Sequence, residues 1–205
     1  TASFPVCGAF QISKTPSRLV VISAAIILSL CSCGKNKDSE ELAQEIRIDI
    51  IGSGTIDTKS TIRADYGQSV YDFSVSYVGN ESEGLLTVLS PETVAGVEIN
   101  ISGGEVLADF DSVSLYMGTL DGLDISPACA LCTFIQSWKS GYITASKEET
   151  LNDVKTVSLT ICVDDTVETK TWFDAETLKP VYGELISEGQ TVLFCSFSDT
   201  SYSAG

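Results

Sequence analysis

The sequence predicts a mainly β domain of the α+β class, a curved antiparallel sheet with few helices against it. Three observations predict it. Beyond residue 45, apolar and polar residues alternate in segment after segment; turn residues separate the segments at short intervals; and helical spacing occurs in only two stretches.

The first helical stretch is 38–47, DSEELAQEIR, short and acidic. Ile56 to Ala64 then alternates, with Asp57, Lys59, Thr61 and Arg63 on the outward set. Tyr71, Phe73, Val75 and Tyr77 alternate with Asp72, Ser74 and Ser76, and Val97, Ile99 and Ile101 with Glu98 and Asn100. The second helical stretch is 126–140, SPACALCTFIQSWKS. Ser126 suits its cap, Pro127 its first turn, Lys139 its last turn and Gly141 its end. Leu131, Phe134, Ile135 and Trp138 share one face and should lie on the sheet. Strands follow at Val157-Leu159-Ile161-Val163, 168–173, 180–187 and 191–197. Gly79-Asn80, Ser90-Pro91, Gly103-Gly104, Asp164-Asp165 and Glu188-Gly189 mark the turns. Connections this short make antiparallel meanders, because parallel crossovers need a dozen residues or more.

Charge divides the chain. All 28 acidic residues lie after residue 37, and Lys14 and Arg18 are the only charges in the first 34. Two cations, an apolar run from Leu19 to Leu30 and then small residues with cysteine make a secretory leader. Twelve residues of helix span about 18 Å, short of a hydrocarbon core of about 30 Å. Leu30-Cys31-Ser32-Cys33 resembles the lipobox of bacterial lipoproteins, in which peptidase cuts before a cysteine carrying diacylglycerol. Cys33 is the expected lipidation site, since modification of Cys31 would place bulky Leu30 directly before the cut. The expected organisation is a leader over 1–32, a lipidated tether over 33–45 and one β domain over 46–205. Met117 is the only methionine, so residues 1–13 read as an extension upstream of the true start, or the chain as a fragment.

From Cys33 onward, 10 basic against 28 acidic residues leave a charge of −18, which repels phosphate backbones, so no nucleic-acid partner is expected. Histidine is absent, which removes Ser-His-Asp catalysis, His-containing zinc sites and histidine pH switches. No enzyme activity, cofactor or metal is expected.

Four blocks carry a family resemblance: VYDFSVSY at 70–77, GLLTVLSPETVAGV at 84–97, SPACALCTFIQSW at 126–138 and TWFDAETLKPVYGELI at 171–186. In their order they resemble the LolA/LolB-like lipoprotein-carrier superfamily, particularly germination-lipoprotein-like members from Gram-positive and gut bacteria. The resemblance covers about two-thirds of the chain. It implies an incomplete barrel, closed on its open side by helices, with an apolar cavity between sheet and helices. Tyr71, Phe73, Val75, Leu86, Val88, Phe134, Trp138, Trp172 and Phe194 are the expected lining. The function it implies is binding of a hydrophobic ligand, an acyl chain or another lipoprotein's anchor, at an extracytoplasmic membrane surface. The alternative is an anchored interaction protein that positions or activates a cell-envelope enzyme of cell-wall or sporulation type.

Four cysteines remain in the domain. Cys129 and Cys132 form a CxxC, with Cys132 expected on the flank of the buried face and Cys129 nearly opposite it. No thioredoxin-like βαβ unit precedes the pair, so a redox role is not expected. Cys162 and Cys195 should sit at opposite ends of a four-strand meander, too far apart for a disulfide. Asp164-Asp165 with Glu168 reads as a hairpin turn, because its spacing matches no EF-hand loop.

Overall fold

The computed structural model describes residues 38–120 and 125–204. Cys33 and the leader lie outside the described residues. Eleven strands, every neighbouring pair antiparallel, form one sheet: β1 Thr55–Asp65, β2 Val70–Gly79, β3 Gly84–Ser90, β4 Glu98–Ser102, β5 Glu105–Phe110, β6 Val113–Thr119, β7 Tyr142–Leu151, β8 Val154–Cys162, β9 Val167–Asp174, β10 Pro180–Ser187 and β11 Gln190–Ser203. The spatial order is β6-β5-β4-β3-β2-β1-β11-β10-β9-β8-β7. Two meanders, β1 to β6 and β7 to β11, therefore join along a β1–β11 seam. The outer strands β6 and β7 do not pair, so the sheet is not closed into a barrel.

Along β1, Ile56, Thr58, Ser60, Ile62 and Ala64 are buried while Asp57, Lys59, Thr61 and Arg63 are exposed, as the alternation predicts. Register carries that inner face across the sheet. Ser60 and Ile62 stand opposite Val75 and Phe73 on one side, and opposite Phe197 and Cys195 on the other. Two-residue turns with left-handed backbone join several hairpins. Gly103-Gly104 and Glu188-Gly189 were legible from glycine; Asp111-Ser112 and Asn152-Asp153 adopt the same conformation without it. Those two turns create the β5–β6 and β7–β8 hairpins. Asp164 makes its turn by accepting from the backbone N–H groups of Thr166 and Val167, at 2.6 and 2.8 Å.

Among the described residues two helices accompany the sheet: α1, Ser39–Gly52, and α2, Ala130–Ser140. Asp38 caps α1 by accepting from Glu41 N at 2.8 Å. The helix runs five residues past the expected end, through IDIIG. Packing of Ile46 and Ile50 into the core outweighs the modest helix propensity of the isoleucines there. Leu42 and Ala43 are buried too, so the packed domain begins inside the stretch expected as tether.

Helix α2 connects the sheet's two outer edges by crossing the inner face. It starts at Ala130, four residues later than expected. Ser126 organises a preceding turn, accepting from Ala128 N through its hydroxyl and from Cys129 N through its carbonyl. The predicted apolar face is buried, and so are Cys132, Thr133 and Ser137, which makes α2 a core element on nearly every side. Its polar groups are satisfied internally: Ser137 donates to Phe134 O, and Thr169 on β9 donates to Ser137 at 2.8 Å. Arg47 on α1 donates to the carbonyls of Trp138 and Gly141, filling the acceptors at the end of α2.

Candidate functional site

The inner face of the sheet is covered unequally. Over β8 to β11 it is filled by α2: Phe134 meets Phe197 edge-on at 5.6 Å, and Trp138 meets Phe173 and Phe197 at 5.4 Å each. Gly183 on β10 makes room for this, since a Cβ there would stand 2.8 Å from the Phe134 ring. Over β2 to β4, residues 126–128 ahead of α2 stand off from the sheet. A cavity of about 250 Å³ remains, lined by Phe73, Val75, Leu86, Val88, Val94, Val97 and Ile99 on the sheet side and by Ser126, Pro127 and Ala128 opposite.

Next to the lining residue Leu86, across the β2–β3 ladder, stands Tyr77. The buried Tyr77 hydroxyl donates to Asn80 O and accepts from Cys132 Sγ at 3.4 Å. Burial pushes the Tyr77 phenol far above its ordinary value, with the Cys132 thiol adding to the shift, so it stays neutral. Burial likewise pushes the Cys132 thiol up to about 11, with the hydrogen bond between it and Tyr77 acting the other way. Outward, apolarity continues along one register row from Leu86 through Ile99 and Ala108 to Leu115. Exposure rises along it from 1 % at Leu86 and 6 % at Ile99 to 64 % at Leu115. Phe110 and Val113, opposite each other at the tip of the β5–β6 hairpin, are exposed on the same side. An apolar row thus runs from the cavity wall at Leu86 and Ile99 to the exposed edge at Leu115.

Of the nine residues expected to line a cavity, Phe73, Val75, Leu86 and Val88 do so. Phe134 and Trp138 are instead buried in the other half of the interior, their rings tilted against each other at 6.1 Å. Tyr71 shares the inner face but stands half-exposed at its rim, against Tyr66 and Phe73. Trp172 and Phe194 are corrections: both point to the outer face. Their neighbours Phe173, Leu193 and Cys195 take the inner positions, because adjacent strand residues must face opposite ways. Val94, Val97, Ile99 and Pro127 line the cavity and were missed as lining. The alternation of Val97 and Ile99 was the available signal.

The CxxC is buried whole. Cys129 and Cys132 both lie in the core, correcting the expectation that Cys129 faces away from the sheet. Cys162 and Cys195 are free thiols on β8 and β11 with β9 and β10 between them, the expected meander order. Among the described residues no group of three Cys, Asp or Glu side chains is placed to hold a metal ion. None of the described helices is long and apolar enough to cross a membrane.

No protein-family model and no curated protein matches the chain. Solved structures are similar to it in fold. A LolA superfamily protein from Nitrosomonas europaea aligns over 81% of this chain and 94% of its own, at 12% identity and a TM-score of 0.45. The Mycobacterium tuberculosis lipoprotein LppX aligns over 77% of this chain and 92% of its own, at 10% identity and a TM-score of 0.41. A chain from the complex of the Clostridioides difficile CwlD amidase with the GerS lipoprotein aligns over 83% of this chain and 99% of its own, at 15% identity and a TM-score of 0.42.

Proposed function

We propose that this protein is an extracytoplasmic lipoprotein, anchored through lipid on Cys33, that shelters an apolar group on the inner face of its half-open sheet. The observation that carries the reading is the 250 Å³ cavity under β2 to β4, apolar on its sheet side and continuous with the exposed row ending at Leu115. The mechanism is transfer of hydrocarbon out of water, at about 25 cal/mol for each Å² buried. The volume lies just below the range of about 300–1,000 Å³ usual for small-molecule pockets, which suits one acyl chain better than a whole diacyl anchor. The rest of the chain would lie along Ala108 and Leu115 toward the open edge.

Val88→Phe tests the ligand. Val88 is 8 % exposed and lines the cavity, so a phenyl ring there occupies the space. The wild type should take up a fluorescent fatty acid and carry lipid in native mass spectrometry; the Val88→Phe protein should do neither while melting no earlier. Equal uptake by both would overturn the reading. The anchor has its own test: Cys33→Ala should abolish incorporation of labelled palmitate, and label persisting on Cys31 would show that the wrong cysteine was chosen.

A second reading is favoured by one observation. β6 is an edge strand, with β5 on one side and no described strand on the other, and its Val113, Leu115 and Tyr116 are all more than half exposed. Exposed apolar edges of this kind pair with other chains. In that case the protein is an anchored partner of a cell-envelope enzyme, and Leu115→Asp should abolish a protein contact without changing fatty-acid uptake.

A further inference from the structure

The outer face of the sheet has a hollow of its own, sharing no lining residue with the inner cavity. A depression of about 400 Å³ lies over β1, β2, β10 and β11, lined by Thr61, Arg63, Asp72, Tyr182, Phe194 and Ser196. Register builds it. Arg63 stands between Asp72 on β2 and Phe194 on β11, and Ser196 stands between Thr61 and Tyr182. Arg63 and Asp72 occupy directly opposed positions, yet they form no ion pair, and neither side chain makes a hydrogen bond to another described residue. The hydroxyls of Thr61, Tyr182 and Ser196 also have no hydrogen-bond partner among the described residues.

Beside this depression the same face is already satisfied. The Trp172 indole donates to Glu149 Oε2 at 2.6 Å, Lys170 sits 4.2 Å above its ring, and Tyr182 packs against it at 5.5 Å. One end of the aromatic strip is therefore closed by its own neighbours, and the Tyr182–Phe194 end is open.

We propose that this depression binds a 2-acetamido sugar, as one ring of a neutral glycan strand. The half-buried rings of Tyr182 and Phe194 offer apolar surface to the C–H face of a pyranose. Three unpaired hydroxyls suit its ring hydroxyls. The acetamido group needs one donor for its carbonyl and one acceptor for its N–H, side by side. Arg63 and Asp72 supply that pair from adjacent strands, roughly 4.8 Å apart in the backbone. Their charges cancel locally, and the chain's net charge of −16 disfavours a polyanionic ligand.

The test is isothermal titration of the full chain with chitotetraose and with cellotetraose, which has the same linkage but hydroxyls in place of the acetamido groups. Chitotetraose should bind at least about tenfold more tightly, the equivalent of one good polar contact pair. Arg63→Leu should bring the two sugars to within about twofold of each other, and Tyr182→Ala and Phe194→Ala should each weaken both by about tenfold. No saturable binding by the wild type, equal binding of the two sugars, or affinities unchanged in all three variants would overturn the proposal. If a variant fails to fold, ¹⁵N shifts of the wild type decide. Changes on adding chitotetraose confined to 61–63, 72–74, 182–184 and 194–196 support the site, and changes elsewhere overturn it.

Discussion

The indole N–H of Trp138 donates a 2.9 Å hydrogen bond to the buried hydroxyl of Thr171, tying α2 to β9 in the filled half of the interior. Both side chains are out of water, so neither can replace the other with solvent. Thr171→Val keeps the shape and removes the acceptor. It should cost about 1–3 kcal/mol, the penalty for an unpaired buried donor. The denaturant midpoint should fall with no change in the slope of the transition.

Gly183 is where the sheet yields to α2. Gly183→Val places branched carbon against the Phe134 ring, which is itself fixed between Trp138 and Phe197. With no room to relax, overpacking should cost about 1–3 kcal/mol or more, read as an earlier thermal transition. Double substitution Gly183→Val with Phe134→Leu should recover part of the loss.

Glu149 gives the acid limb of stability. The hydrogen bond from Trp172 holds its carboxyl below the ordinary glutamate value; partial burial opposes this, and Lys147 and Lys170 add to the lowering. A depressed folded value means that the stabilisation is present above the ordinary glutamate range and is lost as pH falls through the folded value. Glu149→Gln should therefore be less stable than the wild type at neutral pH, and the gap should close below about pH 4. Urea midpoints across that range check it.

The thiols should sort by burial. Burial pushes Cys195 up to about 12 and Cys132 to about 11, whereas Cys162 is half-buried near the β8–β9 turn. Because the thiolate is the reactive form, iodoacetamide on the native protein should label Cys162 before Cys132 and Cys195. Cys132 and Cys195 should react only after unfolding, as mass spectrometry of the peptides would show.

Much of the sheet was legible because one face of each strand is wet. β1 alternates cleanly, and its inner and outer sets follow directly from that pattern. β6 and β7 carry no such signal. In β6 most residues on both faces are exposed, and β7, YITASKEETL, has no apolar alternation to read. Their hairpins turn on Asp111-Ser112 and Asn152-Asp153, whose left-handed backbone is less conspicuous in sequence than glycine's. Around Trp172-Phe173 the pattern was ambiguous in phase, since both residues are large and aromatic. Trp172 was the expected lining residue, and the structure places Phe173 on the inner face.

By itself, the sequence determined the antiparallel meanders, the outward charges of β1 and the face of α2 built from Leu131, Phe134, Ile135 and Trp138. Each follows from local periodicity, which a strand or helix expresses wherever it is put. Only the tertiary structure decided that α2 is buried nearly all round, that Trp172 and Phe194 look outward, and that the interior is filled over β9 and β10 yet hollow over β2 to β4. Those outcomes depend on which segments cover which, through contacts between residues far apart in the chain such as Phe134 with Gly183 and Trp138 with Thr171. No local pattern encodes them.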